Sequence, residues 1–227
     1  MIASLKMFYT TVGRKLVMAL TGLFLCVFLL EHLYGNLQLY KLDGGVAFNE
    51  YGEFLVHNIV IRAVEYLLFG GILLHVLDAL FLTLHNRKAR PVRYAVSHQS
   101  GNSSWFSRNM GITGSIILVF LVIHLKTFFI SHRFQGVDTS MAHDVAAAFQ
   151  SNWYAALYLF SMVLLGAHLN HGFQSAFQTL GWNNHRWMKP LKIVGTLFAL
   201  LMMIGFGSFP IMFYFDLFGV ASNILGQ

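Results

Sequence analysis

Four histidines lie inside four separate apolar stretches of this chain, and their spacing repeats. His124 follows His32 by 92 residues, and His168 follows His75 by 93 residues. The segments that carry the first pair are identical at seven of thirteen positions: TGLFLCVFLLEHL (21–33) and TGSIILVFLVIHL (113–125). Ionisable side chains are costly in hydrocarbon, so a histidine within a membrane span is a functional candidate. The duplicated pattern predicts two metal centres.

The helices that must position these histidines are predicted by long apolar runs. The chain is 56% hydrophobic and only 11% charged, whereas soluble domains have about 25% charged residues. The runs are each long enough for a helix across a bilayer, and they lie at about 13–38, 61–86, 109–132, 151–180 and 190–217. We therefore predict an all-α integral membrane protein, a single domain over residues 1–227 with five transmembrane helices.

Basic residues predict the orientation of these helices. Two connections are poor in basic residues and hold Asp43, Glu50, Glu53, Asp138 and Asp144. The N-terminus and the other two connections are basic, with Lys6, Arg14, Lys15, Arg87, Lys88, Arg90, Arg93, Arg108, Arg186, Lys189 and Lys192. By the positive-inside rule, the N-terminus is cytoplasmic and the C-terminus lies on the opposite side. The net charge of +6 therefore indicates membrane topology and not binding to nucleic acid.

Depth along the helices pairs the histidines. At about 1.5 Å per residue, His32 and His124 lie about 29 and 23 Å from the cytoplasmic ends of their helices. On the same scale His75 and His168 lie only about 17–18 Å from theirs. The outer pair is therefore His32 with His124, and the inner pair is His75 with His168.

Two facing imidazoles with no carboxylate or thiolate in register favour haem b with two histidine ligands. Zinc normally takes four ligands, or three and a water, and a carboxylate di-iron site needs Glu-x-x-His motifs, which the chain lacks. The one cysteine, Cys26, lies within a span and forms no haem-attachment motif. We expect the first four helices to form a bundle of two tandem helix pairs around two stacked haems. Such closed haems carry electrons.

Glycines next to the predicted haems fit this interpretation. Gly22 and Gly114 each precede a histidine by ten residues, which is about 15 Å along a helix and near the depth of the inner pair. Gly70 and Gly71 remove side-chain volume from the second helix just before His75. Close helix–helix packing, which is common in membranes, explains any single one of these glycines equally well.

Other polar residues are weaker candidates. His171 lies one turn from His168 and is a rival ligand, but the repeat aligns His75 with His168 and Asp78 with His171. We expect Asp78 and His171 to pair near the propionates of the inner haem, or else to face a wet crevice. The remaining histidines fall in loops or at helix ends, where interfacial or solvated positions explain them: His57, His85, His98, His132, His143 and His185.

Two segments resemble a known family. VGRKLVMALTGLFLCVFLLEHLYGN (12–36) is similar to the first helix of the di-haem cytochrome b anchor of succinate:quinone oxidoreductases and fumarate reductases, in the five-helix, single-subunit type. AHLNHGFQSAFQTLGW (167–182) resembles its fourth helix, in which a glycine follows the ligand histidine by four residues and a Gly-Trp closes the helix. His168, Gly172, Gly181 and Trp182 match that pattern. The second and third helices match mainly in their histidine positions.

The resemblance implies a bacterial inner-membrane anchor for a flavoprotein and an iron–sulfur subunit on the cytoplasmic side. Electrons would pass between succinate or fumarate chemistry and a membrane quinone (menaquinone or ubiquinone), with His32 and His124 on the distal haem and His75 and His168 on the proximal haem. The chain itself would be a non-catalytic electron-transfer subunit. Arg14 would contact haem propionates or the iron–sulfur subunit, although positive-inside anchoring also explains it.

The family implies two further expectations. It places a functional carboxylate on the outer side, which makes Glu53 the first candidate for the quinone site, with Glu31 and Glu65 as rivals. An interfacial charge is the alternative explanation for Glu53. Some members of the family carry a glutamate two residues before the fourth-helix ligand, where this chain has Gly166, so that proton route is not expected.

Two other classes of function remain open on the sequence. One is a different di-haem carrier, similar to cytochrome b561 or to the b subunit of a hydrogenase or formate dehydrogenase. The other is a haem-free transporter or structural anchor, which the parallel repeat permits.

Overall fold

The computed structural model describes residues 10–88, 108–135 and 139–226, and the regular secondary structure in these ranges is helical throughout. In chain order the helices are α1 (Thr11–Tyr40), α2 (Val46–His57), α3 (Ile59–Lys88), α4 (Met110–Phe134), α5 (Met141–Phe149), α6 (Asn152–Thr179), α7 (His185–Tyr214) and α8 (Val220–Leu225). Five of the residues named in the sequence analysis lie outside the described residues: Lys6, Arg90, Arg93, His98 and Asp138.

Five of these helices have the length and hydropathy of membrane spans. They are α1, α3, α4, α6 and α7, with mean hydropathy of 1.2 to 2.2 over their most apolar windows. Their bounds agree with the predicted runs to within a few residues, so the prediction of an all-α protein with five spans is confirmed. Large apolar side chains point outward from four of these helices, with Val27, Leu67, Val119 and Leu197 each more than 60% exposed. A surface of this kind is compatible with lipid.

Two short helices, α2 before α3 and α5 after α4, occupy connections between the long helices. The sequence analysis did not predict them. Helix α2 begins after Gly45, whose φ of +82° favours glycine. The side-chain oxygen of Asn49 on α2 accepts a hydrogen bond of 3.0 Å from the backbone N–H of Ala142 on α5. Ser140 caps α5 by accepting from the N–H of His143. Glu53 therefore lies on a helix that packs against another connection.

The structure divides the chain into two compact units, each taking part of every long helix. The first consists of the described parts of Met1–Phe28, Tyr66–Gly114 and Ala167–Ala199. The second consists of the described parts of Leu29–Glu65, Ser115–Gly166 and Leu200–Gln227. His75 and His168 belong to the first unit, and His32 and His124 to the second. The partition thus separates the same two pairs that the depth argument separated.

Glycines allow α7 to pack closely in the second unit. A Cβ atom added to Gly166 would lie 3.0 Å from the Cβ of Met203, and one added to Gly205 would lie 2.9 Å from a methyl group of Leu33. Both distances are shorter than ordinary van der Waals contact. Gly166, the position at which some of the resembled proteins carry glutamate, is therefore a packing position here.

Candidate functional site

His32 and His124 are neighbours in the second unit. Their ring centroids lie 5.8 Å apart with the planes at 87°, although one residue is on α1 and the other on α4. A separation of about 6 Å is also what two imidazoles reach when one nitrogen of each lies about 2 Å from a shared metal. Phe206 of α7 packs against the ring of His32 at 5.5 Å. The structure thus brings together one predicted ligand from each repeat.

A buried tyrosine fixes the orientation of His124. The Tyr158 hydroxyl lies 2.8 Å from Nδ1 of His124 and 3.3 Å from the Tyr154 hydroxyl. Both tyrosines are on α6 and are less than 10% exposed. A hydrogen bond at one ring nitrogen determines which nitrogen is left for a metal. With Nδ1 engaged, Nε2 is the nitrogen of His124 that is available for coordination.

In the first unit a threonine plays the equivalent part for His75. The Thr21 hydroxyl lies 3.1 Å from Nδ1 of His75 and also donates to the backbone carbonyl of Val17 at 2.8 Å. A hydroxyl has a single proton. Because Thr21 gives that proton to Val17, it accepts from the Nδ1–H of His75. The lone pair of His75 therefore resides on Nε2.

The histidines of the first unit meet equivalent glycines of the two repeats. A Cβ atom added to Gly22 would lie 3.4 Å from Cε1 of His75, and one added to Gly114 would lie 3.5 Å from Cε1 of His168. The imidazoles thus pack flush against the glycine surfaces of α1 and α4. Beside His168, a Cβ atom added to Gly172 would meet no atom within 4 Å. Open space next to a predicted ligand is what a large planar group requires.

His168 carries an unsatisfied polar atom. Its Nδ1 is buried, and among the described residues it has no hydrogen-bond partner, which is unusual for a buried polar group. The repeat identifies Thr113 as the counterpart of Thr21. Thr113 is buried, and its hydroxyl donates to carbonyls one turn earlier, as that of Thr21 does. Thr21, Thr113 and Tyr158 were not among the predicted site residues. The Thr-Gly sequence that recurs at 21–22 and 113–114 could have indicated the two threonines.

The structure gives Asp78 a different partner from the one expected. Its Oδ1 accepts from Nη1 of Arg14 at 3.2 Å, and it is not His171 that forms this bond. The guanidinium of Arg14 also lies 3.6 Å from the ring centre of Phe81. Asp78 is 5% exposed, and a buried carboxylate requires such a counter-charge. Arg14 therefore stabilises a buried acid one turn from His75, while His171 is only partly buried.

Two of the three carboxylates considered for a quinone site, Glu31 and Glu53, differ in their hydrogen bonds. Glu31 is exposed and accepts a hydrogen bond of 2.8 Å from the Tyr51 hydroxyl on α2. Burial, the hydrogen bond to Glu31 and the charge of Glu31 together raise the pKa of Tyr51 to about 12. Glu53 is also exposed, and its backbone carbonyl accepts a hydrogen bond of 2.9 Å from Nδ1 of His57. Neither carboxylate is in a buried site.

The described residues hold no group of three or more His, Cys, Asp or Glu side chains that could bind a bare metal ion. The histidine pairs instead suit a metal whose other ligands come from a cofactor. The engaged Nδ1 atoms of His75 and His124 and the open space beside Gly172 are compatible with haem. No family model, curated protein or solved structure matches this chain.

Proposed function

We propose that the protein is a di-haem cytochrome b that passes electrons between a membrane quinone and a flavoprotein–iron–sulfur dicarboxylate enzyme. The observation that carries the proposal is the His32–His124 pair, two imidazoles from equivalent places in the two repeats at a ring separation of 5.8 Å. Haem b would supply one-electron redox chemistry at each histidine pair.

The residues of this chain would hold and orient the two groups. His32 and His124 would be the axial ligands in the second unit, and His75 and His168 those in the first. Tyr158 and Thr21 would keep Nε2 of their histidines available by engaging Nδ1. Gly22 and Gly114 would let the imidazoles of His75 and His168 lie against α1 and α4, and Gly172 would leave room for the porphyrin. Arg14 would neutralise Asp78 beside His75.

The partners and the orientation follow from the resemblance and the charge pattern. The first and fourth spans are similar to those of the cytochrome b anchor of succinate and fumarate enzymes, which implies flavoprotein and iron–sulfur subunits on the cytoplasmic face. By the positive-inside rule, Arg186 and Lys189 at the start of α7 would lie on that face. We therefore propose a bacterial inner membrane with a cytoplasmic N-terminus.

A haem count tests the proposal directly. Purified full-length protein should show a low-spin b-type difference spectrum after reduction with dithionite, with two haems per chain. A folded, intact chain without haem would contradict the proposal and favour a transporter or a structural anchor.

Co-purification tests the partners. Affinity capture of the chain from its own membranes should bring down a flavoprotein and an iron–sulfur protein with succinate dehydrogenase or fumarate reductase activity. Two haems per chain without these proteins would instead favour another di-haem carrier.

A further inference from the structure

A patch of basic and aromatic side chains lies at the start of α7 in the first unit, away from the histidine pairs in the sequence. Its basic residues are Arg186, Lys189 and Lys192, and all three are exposed. Trp182 and Trp187 are about half exposed, at 49% and 47%, and their ring centroids lie 5.7 Å apart. We call these five residues the basic–aromatic patch.

The positive charges of the patch repel one another. Residues three apart are neighbours on a helix surface, so Lys189 lies next to both Arg186 and Lys192. Among the described residues none of these three side chains has an ion-pair partner. The sequence contains no Asp or Glu between Asp144 and Asp216. A bound anion would relieve this repulsion.

Membrane topology alone does not account for the patch. Arg87 and Lys88 also satisfy the positive-inside rule, but they lie at the C-terminal end of α3, where the helix dipole favours cations. Arg186 lies in the first turn of α7, where the dipole disfavours a cation. The patch therefore concentrates positive charge at a place where the helix itself opposes it.

Aromatic rings relate the patch to the membrane–water interface. The ring centroids of Phe177 on α6 and Trp182 are 5.4 Å apart, and Trp187 continues this row of rings. Cζ of Arg186 lies 5.8 Å from the ring centre of Trp187, which is within the range of a cation–π contact. Because tryptophan is enriched at membrane–water interfaces, these rings indicate that the charges lie at the level of lipid headgroups.

The face of α7 that carries the charges continues as exposed apolar surface. Steps of three, four and four residues separate Arg186, Lys189, Ile193 and Leu197, and such steps keep side chains on one face of a helix. Ile193 and Leu197 are 62% and 61% exposed. A face that is cationic at its start and apolar beyond matches a ligand with an anionic headgroup and a hydrocarbon tail.

We propose that the basic–aromatic patch binds the headgroup of an anionic phospholipid, with an acyl chain along Ile193 and Leu197. Arg186 and Lys189 would donate charge-assisted hydrogen bonds to the phosphate oxygens, and Lys192 would add positive charge. The two tryptophans would lie against the glycerol and the upper part of the chains. The site needs no haem and is separate from the proposed electron transfer.

Tryptophan quenching tests the binding. Full-length protein is placed in phosphatidylcholine nanodiscs that contain increasing amounts of acyl-brominated phosphatidylglycerol or, in parallel, of acyl-brominated phosphatidylcholine. Bromine quenches tryptophan emission at close range. We expect stronger quenching by the brominated phosphatidylglycerol at equal content, and the double variant Trp182→Phe/Trp187→Phe should remove this excess.

A matched pair of double variants separates the patch from general surface charge. Arg186→Gln/Lys189→Gln should weaken the preference for phosphatidylglycerol by about tenfold or more, because each Lys or Arg near an anionic membrane surface contributes about fivefold. Arg87→Gln/Lys88→Gln removes the same net charge from the first unit and should leave the preference unchanged. Equal quenching by the two brominated lipids in the unaltered protein, or an equal loss in both double variants, would overturn the proposal.

Two further comparisons identify the ligand. Inorganic phosphate added at constant ionic strength should not reduce the excess quenching, and a reduction would show that a free phosphate binds instead of the lipid. The excess should also persist in the complex captured with its cytoplasmic partners, since its loss there would assign the patch to a protein contact and overturn the lipid site. A chain that shows the preference but never contains haem would support this proposal and contradict the proposed function alone.

Discussion

A hydroxyl group contacts one candidate histidine in each unit. The Thr21 hydroxyl accepts a hydrogen bond from Nδ1–H of His75, because it donates its own hydrogen to the carbonyl of Val17. The Tyr158 hydroxyl contacts Nδ1 of His124. Neither hydroxyl has a large desolvation cost within a membrane span, because Thr21 forms a hydrogen bond within its own helix and Tyr158 forms one with Tyr154. Each can therefore orient a ligand without introducing a buried charge.

Removing the Thr21 hydroxyl should weaken binding of the haem that we propose for the first unit. Thr21→Val keeps the shape of the side chain but leaves Nδ1 of His75 without its acceptor, and loss of such a partner typically lowers metal affinity by about 10- to 100-fold. Haem per chain after dilution into a haem-free acceptor protein measures the effect. Thr21→Ser keeps the hydroxyl and should behave as the unaltered protein. Equal haem retention in Thr21→Val would contradict this role.

The pKa of Tyr51 should depend on Glu31. The pKa of about 12 has burial as its largest cause, followed by the bond to Glu31 and the charge of Glu31. Glu31→Gln removes the charge and keeps an acceptor, so the pKa should fall part of the way toward the ordinary value of about 10. Phenolate absorbance titrations, with Tyr51→Phe subtracted to isolate this group, measure the shift. An unchanged pKa in Glu31→Gln would show that the contact does not form.

Close packing of α7 depends on glycines at its contacts, Gly205 on α7 itself and Gly166 on α6. Because a Cβ atom at Gly166 would lie 3.0 Å from Met203, Gly166→Ala should lower the free energy of unfolding by about 1–3 kcal/mol, the usual cost of overpacking. Thermal unfolding in detergent measures it. Gly70→Ala is the matched control, because a Cβ atom there meets no atom within 4 Å. A stability loss of equal size in both variants would contradict the packing explanation.

The C-terminal helix α8 depends on an ionised capping residue. Oδ1 of Asp216 accepts from the backbone N–H groups of Ser222 and Ala221. The pKa of Asp216 is lowered, chiefly by hydrogen bonds from the backbone and the side chain of Ser222. The hydrogen bond from the backbone of Ala221 lowers it further. A carboxylate with a lowered pKa stabilises the folded form above its ordinary pKa of about 3.9 and loses that effect as the pH falls through the lowered value.

The pH dependence of this cap can be measured locally. Asp216→Asn keeps an oxygen acceptor and tolerates the left-handed backbone at this position (φ +46°), so it removes only the charge. Amide hydrogen exchange at Ala221 and Ser222 should be faster in Asp216→Asn than in the unaltered protein at pH 7. The difference in protection should disappear well below pH 4. A difference that persists at low pH would show that the charge is not responsible.

At the scale of the whole molecule, the division of the histidine pairs between two units has a functional consequence. Each unit contains its own pair and its own orienting hydroxyl. Loss of one pair should therefore leave the packing around the other intact.

Single-ligand variants test this independence. On the proposed function, His124→Ala and His75→Ala should each reduce haem from two to one per chain, and the remaining haem should have a different midpoint potential in the two variants. Difference spectra with redox titration measure both quantities. His185→Ala, at the exposed start of α7, should retain two haems. Complete loss of haem in either ligand variant, with the chain folded, would contradict independent sites.

The sequence by itself determined the helical architecture. A long apolar run in lipid must satisfy its backbone hydrogen bonds internally, so a helix across the bilayer is a local consequence of hydropathy and length. The five spans were therefore predicted to within a few residues. The 92–93-residue repeat also selected His32 with His124, because equivalent positions on helices of the same direction lie at similar depth.

Only the tertiary structure decided the partners of these residues. The repeated Thr-Gly step marked Thr21 in the sequence, but only folding showed that its hydroxyl contacts His75. Asp78 was matched by sequence to His171 but contacts Arg14. The short helices α2 and α5 depend on contacts with each other, such as the hydrogen bond between Asn49 and Ala142. The π-helical segment Leu125–Ile130 after His124 has no hydropathy signature. These features arise from proximity in space between residues far apart in the chain, which local periodicity does not encode.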